Sequence, residues 1–294
     1  MPDGVITFSD LTKRFGRSAT SLIAVDRLTV AVQPGRVTGF LGPNGAGKTT
    51  SLRCLLGLVQ PTSGEALFAG QRYEQLPDPA RTVGASLEAT GFYPGRRARD
   101  HVRVIADAAG LPAQRADAVL TQVGLTGVED RRVGEYSLGM RQRLTLAVAL
   151  LGDPQYLILD EPANGLDPQG IAWLRGFLRY LAGQGRTVLI SSHVLGEIQQ
   201  TADDVIIINR GRLVVAQPLA ELEQTGTAPA VAVITPDADR LVAALAEEVP
   251  TAVVERTGEQ LEVRGATAAQ IGAAAFRCGV PWRRGASWPH PAER

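Results

Sequence analysis

The sequence predicts an α/β fold with a mostly parallel sheet, followed by a small α+β C-terminal domain. Three observations carry that expectation. Arg36-Val37-Thr38-Gly39-Phe40-Leu41 is a short apolar run that opens straight into a glycine-rich loop and then a helix. Two more near-continuous apolar runs, Tyr156-Leu157-Ile158-Leu159-Asp160 and Thr187-Val188-Leu189-Ile190-Ser191, have the texture of strands covered on both faces, which is the pattern of a parallel sheet. Between them, residues 168–185 have the length and periodicity of the crossover helix that a parallel pair requires.

The remaining elements follow in order. Residues 5–34 alternate apolar and polar side chains with turn residues between, and read as an antiparallel β subdomain. The helix after the glycine loop is expected from Lys48 to about Val59, closed by Pro61. Residues 97–152 carry helical periodicity and read as an inserted helical subdomain of about 93–152. Past Gly226 the texture becomes Ala/Val-rich with polar turns. There we expect a strand at 231–235, a helix at 237–248, a hairpin from 251–256 and 260–264, and a helix at 266–278. That order, β-α-β-β-α, is most of a split βαβ unit, and it places a C-terminal domain at 229–285 after a main domain of 1–226. The closing segment from Trp282 is rich in Pro, Gly and Arg and is expected to fray, with 286–294 a disordered tail.

Composition narrows the partners. The 294 residues carry 30 Lys+Arg against 30 Asp+Glu, so no overall basic field points to nucleic acid or an anionic membrane surface. No apolar run approaches the ~18 residues needed to span a bilayer, and the first residues lack the apolar core of a signal peptide. Cys54 and Cys278 stand far apart, outside any CxxC or Cys/His cluster, which suits a reducing compartment and argues against zinc.

Arginine supplies almost every cation; the only lysines are Lys13 and Lys48. Lys48 lies in Gly42-Pro43-Asn44-Gly45-Ala46-Gly47-Lys48-Thr49-Thr50, and each residue type there answers a requirement of holding nucleotide phosphates. Glycines let backbone N–H groups turn inward around a phosphate, the lysine supplies a compact point charge where a planar guanidinium would not serve, and the Thr49 hydroxyl can ligate Mg²⁺. Far downstream, the apolar run at 157–159 ends in Asp160 and Glu161. A buried strand that ends in paired carboxylates beside a phosphate loop suits one acid for the Mg²⁺ shell and one for the attacking water.

These motifs, in this order, resemble the ATP-binding subunit of an ABC transporter over about residues 5–226. Tyr136-Ser137-Leu138-Gly139-Met140-Arg141-Gln142-Arg143 stands where that family has its LSGGQ signature. Ser137 and Gly139 match it, Leu138 and Met140 do not, and this variant is similar to the bacitracin- and daunorubicin-type exporter branch. By resemblance, Ser137 and Gly139 would bind the γ-phosphate held by a second copy of the chain, and Gly165-Leu166-Asp167 would cross the dimer interface. His193 would contact the γ-phosphate and the attacking water, and Phe15 would stack on adenine. As bare residues, Ser137 is equally a helix cap, Gly165–Asp167 a turn before Pro168, and Phe15 a core aromatic. The family's Mg²⁺-touching glutamine lies in the loop that joins the core to the helical subdomain; here residues 83–94 correspond to that loop and Glu88 to that glutamine, a departure that adds charge beside Asp160 and Glu161.

The resemblance implies an ATPase with ATP and Mg²⁺ as cofactors. It further implies a head-to-tail dimer and a separate transmembrane permease subunit that holds the protein at the inner face of the cell membrane. The cargo would be a drug or antibiotic leaving the cell. One rival is a soluble ABC ATPase acting on DNA or ribosomes, but the single cassette and the short stretch from Lys48 to Ser137 leave no room for its long coiled coil or second cassette. The other is a nucleotide-sensing subunit without turnover, against which Asp160, Glu161 and His193 speak.

Overall fold

A computed structural model describes residues 4–16, 21–87, 91–224, 231–249, 252–257 and 260–284. Glu88 lies outside the described residues, as does the tail expected at 286–294. The chain divides into two compact units, 1–217 and 218–294.

In the first unit, β1 (Ile6–Phe15) and β2 (Leu22–Val32) pair antiparallel, and β4 (Ser63–Phe68) joins β1 to give a three-stranded sheet of order β2-β1-β4. Between β2 and β4 the chain forms β3 (Val37–Leu41) and α1 (Lys48–Leu55). It continues through the short α2 (Pro79–Thr82) into β5 (Val83–Ser86). Three helices follow in the predicted helical stretch: α3 (Ala98–Ala108), α4 (Gln114–Gln122) and α5 (Leu138–Ala149). β6 (Tyr156–Leu159), α6 (Pro168–Gly183), β7 (Thr187–Ser192), α7 (Leu195–Gln199), β8 (Asp204–Asn209) and β9 (Arg212–Pro218) complete the unit.

The main sheet has the order β5-β6-β7-β3-β8-β9, and β5, β6, β7, β3 and β8 run parallel to their neighbours. Every residue of β3, β6 and β7 is buried, which is what their continuous apolar sequences require. The two sheets share one core: Phe8 of β1 stacks on Phe40 of β3 with ring centroids 6.4 Å apart, and Phe68 of β4 meets Tyr156 of β6 edge-on at 4.9 Å. The parallel order sends β3, β6 and β7 to a common edge, so the segments leaving their C-terminal ends converge there.

Two expectations about this unit change. The helix after the glycine loop ends at Leu55, short of Val59, because the Leu58 N–H donates back to the Arg53 carbonyl at 2.9 Å and winds the chain out of the helix. Residues 83–86, expected as part of a connecting loop, form the edge strand β5 beside β6. Among the described residues no helix is long and apolar enough to cross a membrane.

His101 of α3 packs edge-on against Phe92, with centroids 5.0 Å apart, and its Nδ1 is buried with no hydrogen-bond partner. Burial, helped by the charge of Arg96, holds its pKa below the ordinary 6.5. Folding therefore favours the neutral ring: its stabilising share is full above about pH 6.5 and is lost as the pH falls through the lowered folded value. His101→Leu should flatten the fall in Tm between about pH 7 and pH 5 seen by calorimetry. An unchanged slope would contradict this reading of His101.

The second unit contains α8 (Leu219–Gln224), β10 (Val231–Ile234), α9 (Ala238–Glu248), β11 (Val253–Thr257), β12 (Gln260–Arg264), α10 (Ala268–Cys278) and β13 (Arg283–Arg284). The sheet order β11-β12-β10-β13 is antiparallel throughout, over a core of Val233, Leu241, Leu245, Leu261, Val263 and Ile271. Arg283–Arg284 pairs with β10, so part of the segment expected to fray is the last strand of a complete β-α-β-β-α-β unit. Trp282 packs on this core, and Thr235 Oγ1 donates to the Pro281 carbonyl at 3.0 Å, which anchors the strand.

Candidate active site

The glycine loop joins β3 to α1 and lines an open cleft. Gly47 caps α1 with φ +105, and a Cβ there would lie 2.3 Å from the Ala24 carbonyl oxygen, so only glycine fits. No side chain caps α1, which leaves its first N–H groups and the positive end of its dipole facing the cleft. The loop is braced by Ala46 N donating to Pro43 O at 3.0 Å and Gly211 N donating to Ala46 O at 2.9 Å.

The cleft encloses about 420 Å³ and is walled by residues 44–50, Phe15, Leu22, Ile23, Ala24, Glu161, Asn164 and His193. Lys48 is 6 % exposed; its Nζ donates to the Gly42 carbonyl at 2.8 Å and stands 3.3 Å from Glu161 Oε1. The other Glu161 oxygen takes a hydrogen bond from His193 Nδ1 at 2.8 Å. Thr49 Oγ1 donates to Asp160 Oδ2 at 2.6 Å, and Ser191 Oγ donates to Asp160 Oδ1. Thr49 and Asp160 thus place two hard oxygen donors together at the start of α1, the donor chemistry that suits Mg²⁺ alongside nucleotide phosphates. Phe15 is 44 % exposed with Lys13 Nζ 5.0 Å from its ring centroid, so it forms a wall of the cleft and is no core aromatic.

Residues 42–50, Phe15, Asp160, Glu161 and His193 therefore come together. Ser137, Gly139 and Asp167 do not line the cleft. Ser137 caps α5, accepting from Met140 N at 3.2 Å, and Asp167 caps α6, accepting from Gly170 N at 2.7 Å; both are exposed.

Three contributors were missed by the sequence reading. Ser191 binds Asp160 and also accepts from Glu161 N at 2.9 Å; Asn164 joins the wall. Gln142 of α5, 5 % exposed, donates from Nε2 to the Pro162 carbonyl at 2.8 Å, while its Oε1 is buried without a partner. An unpaired buried acceptor costs about 1–3 kcal/mol, which an apolar side chain of the same shape would not. A polar residue inside the apolar run of a buried strand is the signal that could have found Ser191.

Glu161 has φ +50, a left-handed conformation that costs a residue with a Cβ of order 1–3 kcal/mol and persists where its surroundings fix it. Here they do: Ser191 holds its N–H, and its carbonyl accepts from Asn164 N at 3.2 Å.

The family model for ABC transporters matches residues 25–164, the span from β2 through the carboxylate pair. The bacitracin transport ATP-binding protein BcrA of Bacillus licheniformis is 44 % identical over 223 residues, covering 75 % of this chain and 72 % of that protein. The chain belongs to the ABC transporter ATP-binding proteins. As an ABC ATPase it is also 35 % identical to the lantibiotic transport ATP-binding protein SrtF of Streptococcus pyogenes, over 71 % of this chain and 89 % of that one. A solved ATP-binding subunit of an ABC transporter superposes with a TM-score of 0.65 at 26 % identity, over 75 % of this chain and 92 % of that chain. In this ABC ATPase, residues 229–282 match a second family model, described as a domain of unknown function (DUF8746).

Proposed function

We propose that this ABC ATPase binds and hydrolyses ATP with Mg²⁺ in a head-to-tail dimer and drives a separate membrane subunit that exports an antibiotic-like compound. The observation that carries the reading is the meeting of Lys48, Glu161 and His193 in one cleft at the open N-terminus of α1. Lys48 and the loop N–H groups hold the β- and γ-phosphates, and Phe15 stacks on the base. Thr49 and Asp160 would hold Mg²⁺, whose chemistry there would be neutralisation of phosphate charge. Glu161 takes the proton of the attacking water, and His193 fixes that carboxylate through the Nδ1 hydrogen bond. The Glu161 carboxylate is also a counter-ion of the Lys48 ammonium.

Dimerisation is supported by what the cleft lacks. Ser137 and Gly139 stand at the N-terminus of α5, outside their own chain's cleft, and in a head-to-tail pair they close the cleft of the partner. Glu88, in the place of the family's glutamine, is proposed as a further group touching Mg²⁺ and as part of the surface that passes the stroke to the membrane subunit. The export reading and the class of cargo draw on the relatives named for bacitracin and lantibiotic transport.

Purification of the tagged chain from detergent-solubilised membranes should bring down one multi-span protein in stoichiometric amount, with ATPase activity raised in its presence. Recovery of ribosomes or nucleic acid in its place would contradict the transport reading.

A further inference from the structure

Glu161 sits in a backbone conformation that must be imposed from outside, and one of the groups imposing it comes from the signature helix of the same chain. Pro162 follows Glu161 directly, and its carbonyl accepts from Gln142 Nε2 at 2.8 Å. Gln142 lies in the second turn of α5, whose cap is Ser137. The two ends of the 161–167 loop are both clasped by this helix. At the far end, Gly165 has φ +73, and a Cβ there would lie 2.3 Å from Leu138 Cδ2, so the leucine that departs from the family signature fills the space over that glycine. A Cβ on Gly139 would be 3.7 Å from Leu166 Cδ2, and the Arg143 guanidinium lies 3.9 Å over the Trp173 ring of α6.

The chemistry of Gln142 singles it out within this seam. Its Oε1 is buried and unpaired, so an apolar residue of similar length removes one unsatisfied acceptor while taking the donor from the Pro162 carbonyl, and the two effects on stability oppose each other. The amide is accounted for by its one hydrogen bond, to the peptide that follows Glu161.

We propose that Gln142 is a positioning residue for Glu161, tying the carboxylate's loop to the helix that presents Ser137. The inference rests on the reading of Glu161 as the carboxylate that acts on the water. Ser137 engages the nucleotide of the partner while Glu161 serves the chain's own, so a movement of α5 on closure reaches Glu161 through the Gln142 amide. Gly139 and Leu138 carry the same movement to the Gly165 end of the loop.

The test compares Gln142→Met and Gln142→Leu, neither of which can donate to Pro162, with the full-length parent. We expect kcat to fall about tenfold to 100-fold, as for a misplacement of the reacting group by an ångström or less. KM for ATP and binding of a ribose-labelled fluorescent ATP should stay at parental values, and Tm should stay close to the parental one, since the lost bond to Pro162 is offset by removal of the unpaired Oε1. In a Glu161→Gln background, Gln142→Met should slow the residual rate no further, since the group it positions is gone. A folded Gln142→Met with parental kcat would overturn the proposal, and so would a joint fall of kcat, affinity and Tm, the signature of a structural residue. If Glu161→Gln itself hydrolyses at the parental rate, the fault lies with the function assigned to Glu161.

Discussion

Glu161→Gln should bind ATP as well as the parent, or better, and lose about 10²–10⁴-fold in kcat, the usual share of a positioned general base. The amide keeps the shape of the side chain and can still meet His193, yet it cannot take a proton from water. It also removes the counter-ion 3.3 Å from the Lys48 ammonium, so the lysine is freer to receive phosphate. With hydrolysis stalled and binding kept, ATP should convert the variant into a stable dimer on size-exclusion chromatography. Each 1.36 kcal/mol is tenfold in rate, so the loss corresponds to about 3–5 kcal/mol of transition-state stabilisation. A variant that turned over within a few-fold of the parent would remove Glu161 from the chemistry.

Much of this site was legible because its chemistry permits few residue types. A phosphate loop needs glycine where a Cβ would strike Ala24, and it needs a lysine; both requirements are visible at 42–50 without a structure. Asp160, Glu161 and His193 stand at the ends of buried apolar runs, where a charged or titratable residue is conspicuous. Gln142 was opaque for the opposite reason. It occurs in a polar stretch, Met140-Arg141-Gln142-Arg143, at the start of a helix, and nothing in that order says which side chain turns inward toward Pro162. The β5 strand was read as loop because Gly84 and Ala85 give it little apolar content, and its place is fixed by pairing with β6. The two-residue β13 carries only arginines, so its membership in the C-terminal sheet comes from Trp282 and the Thr235–Pro281 bond, contacts with no local pattern.

The composite site makes a quantitative demand on mixed chains. Lys48→Ala removes the ammonium on which the phosphates rest, and Ser137→Arg fills the cap of α5 with a bulky cation that cannot approach the partner's cleft. Neither chain alone can form an intact site, since in a homodimer each defect occurs twice. An equal mixture of the two gives heterodimers in which one site carries both defects and the other carries none.

The direct measurement is ATP retained after rapid desalting, with both chains in the Glu161→Gln background so that trapping does not depend on hydrolysis. Each chain alone should retain almost none, and the equal mixture should retain about a quarter of the parental amount, the statistical share of intact sites among two-fold dimers. Retention by the Ser137→Arg chain alone at the parental level, or a mixture no better than its components, would contradict a site shared between two copies.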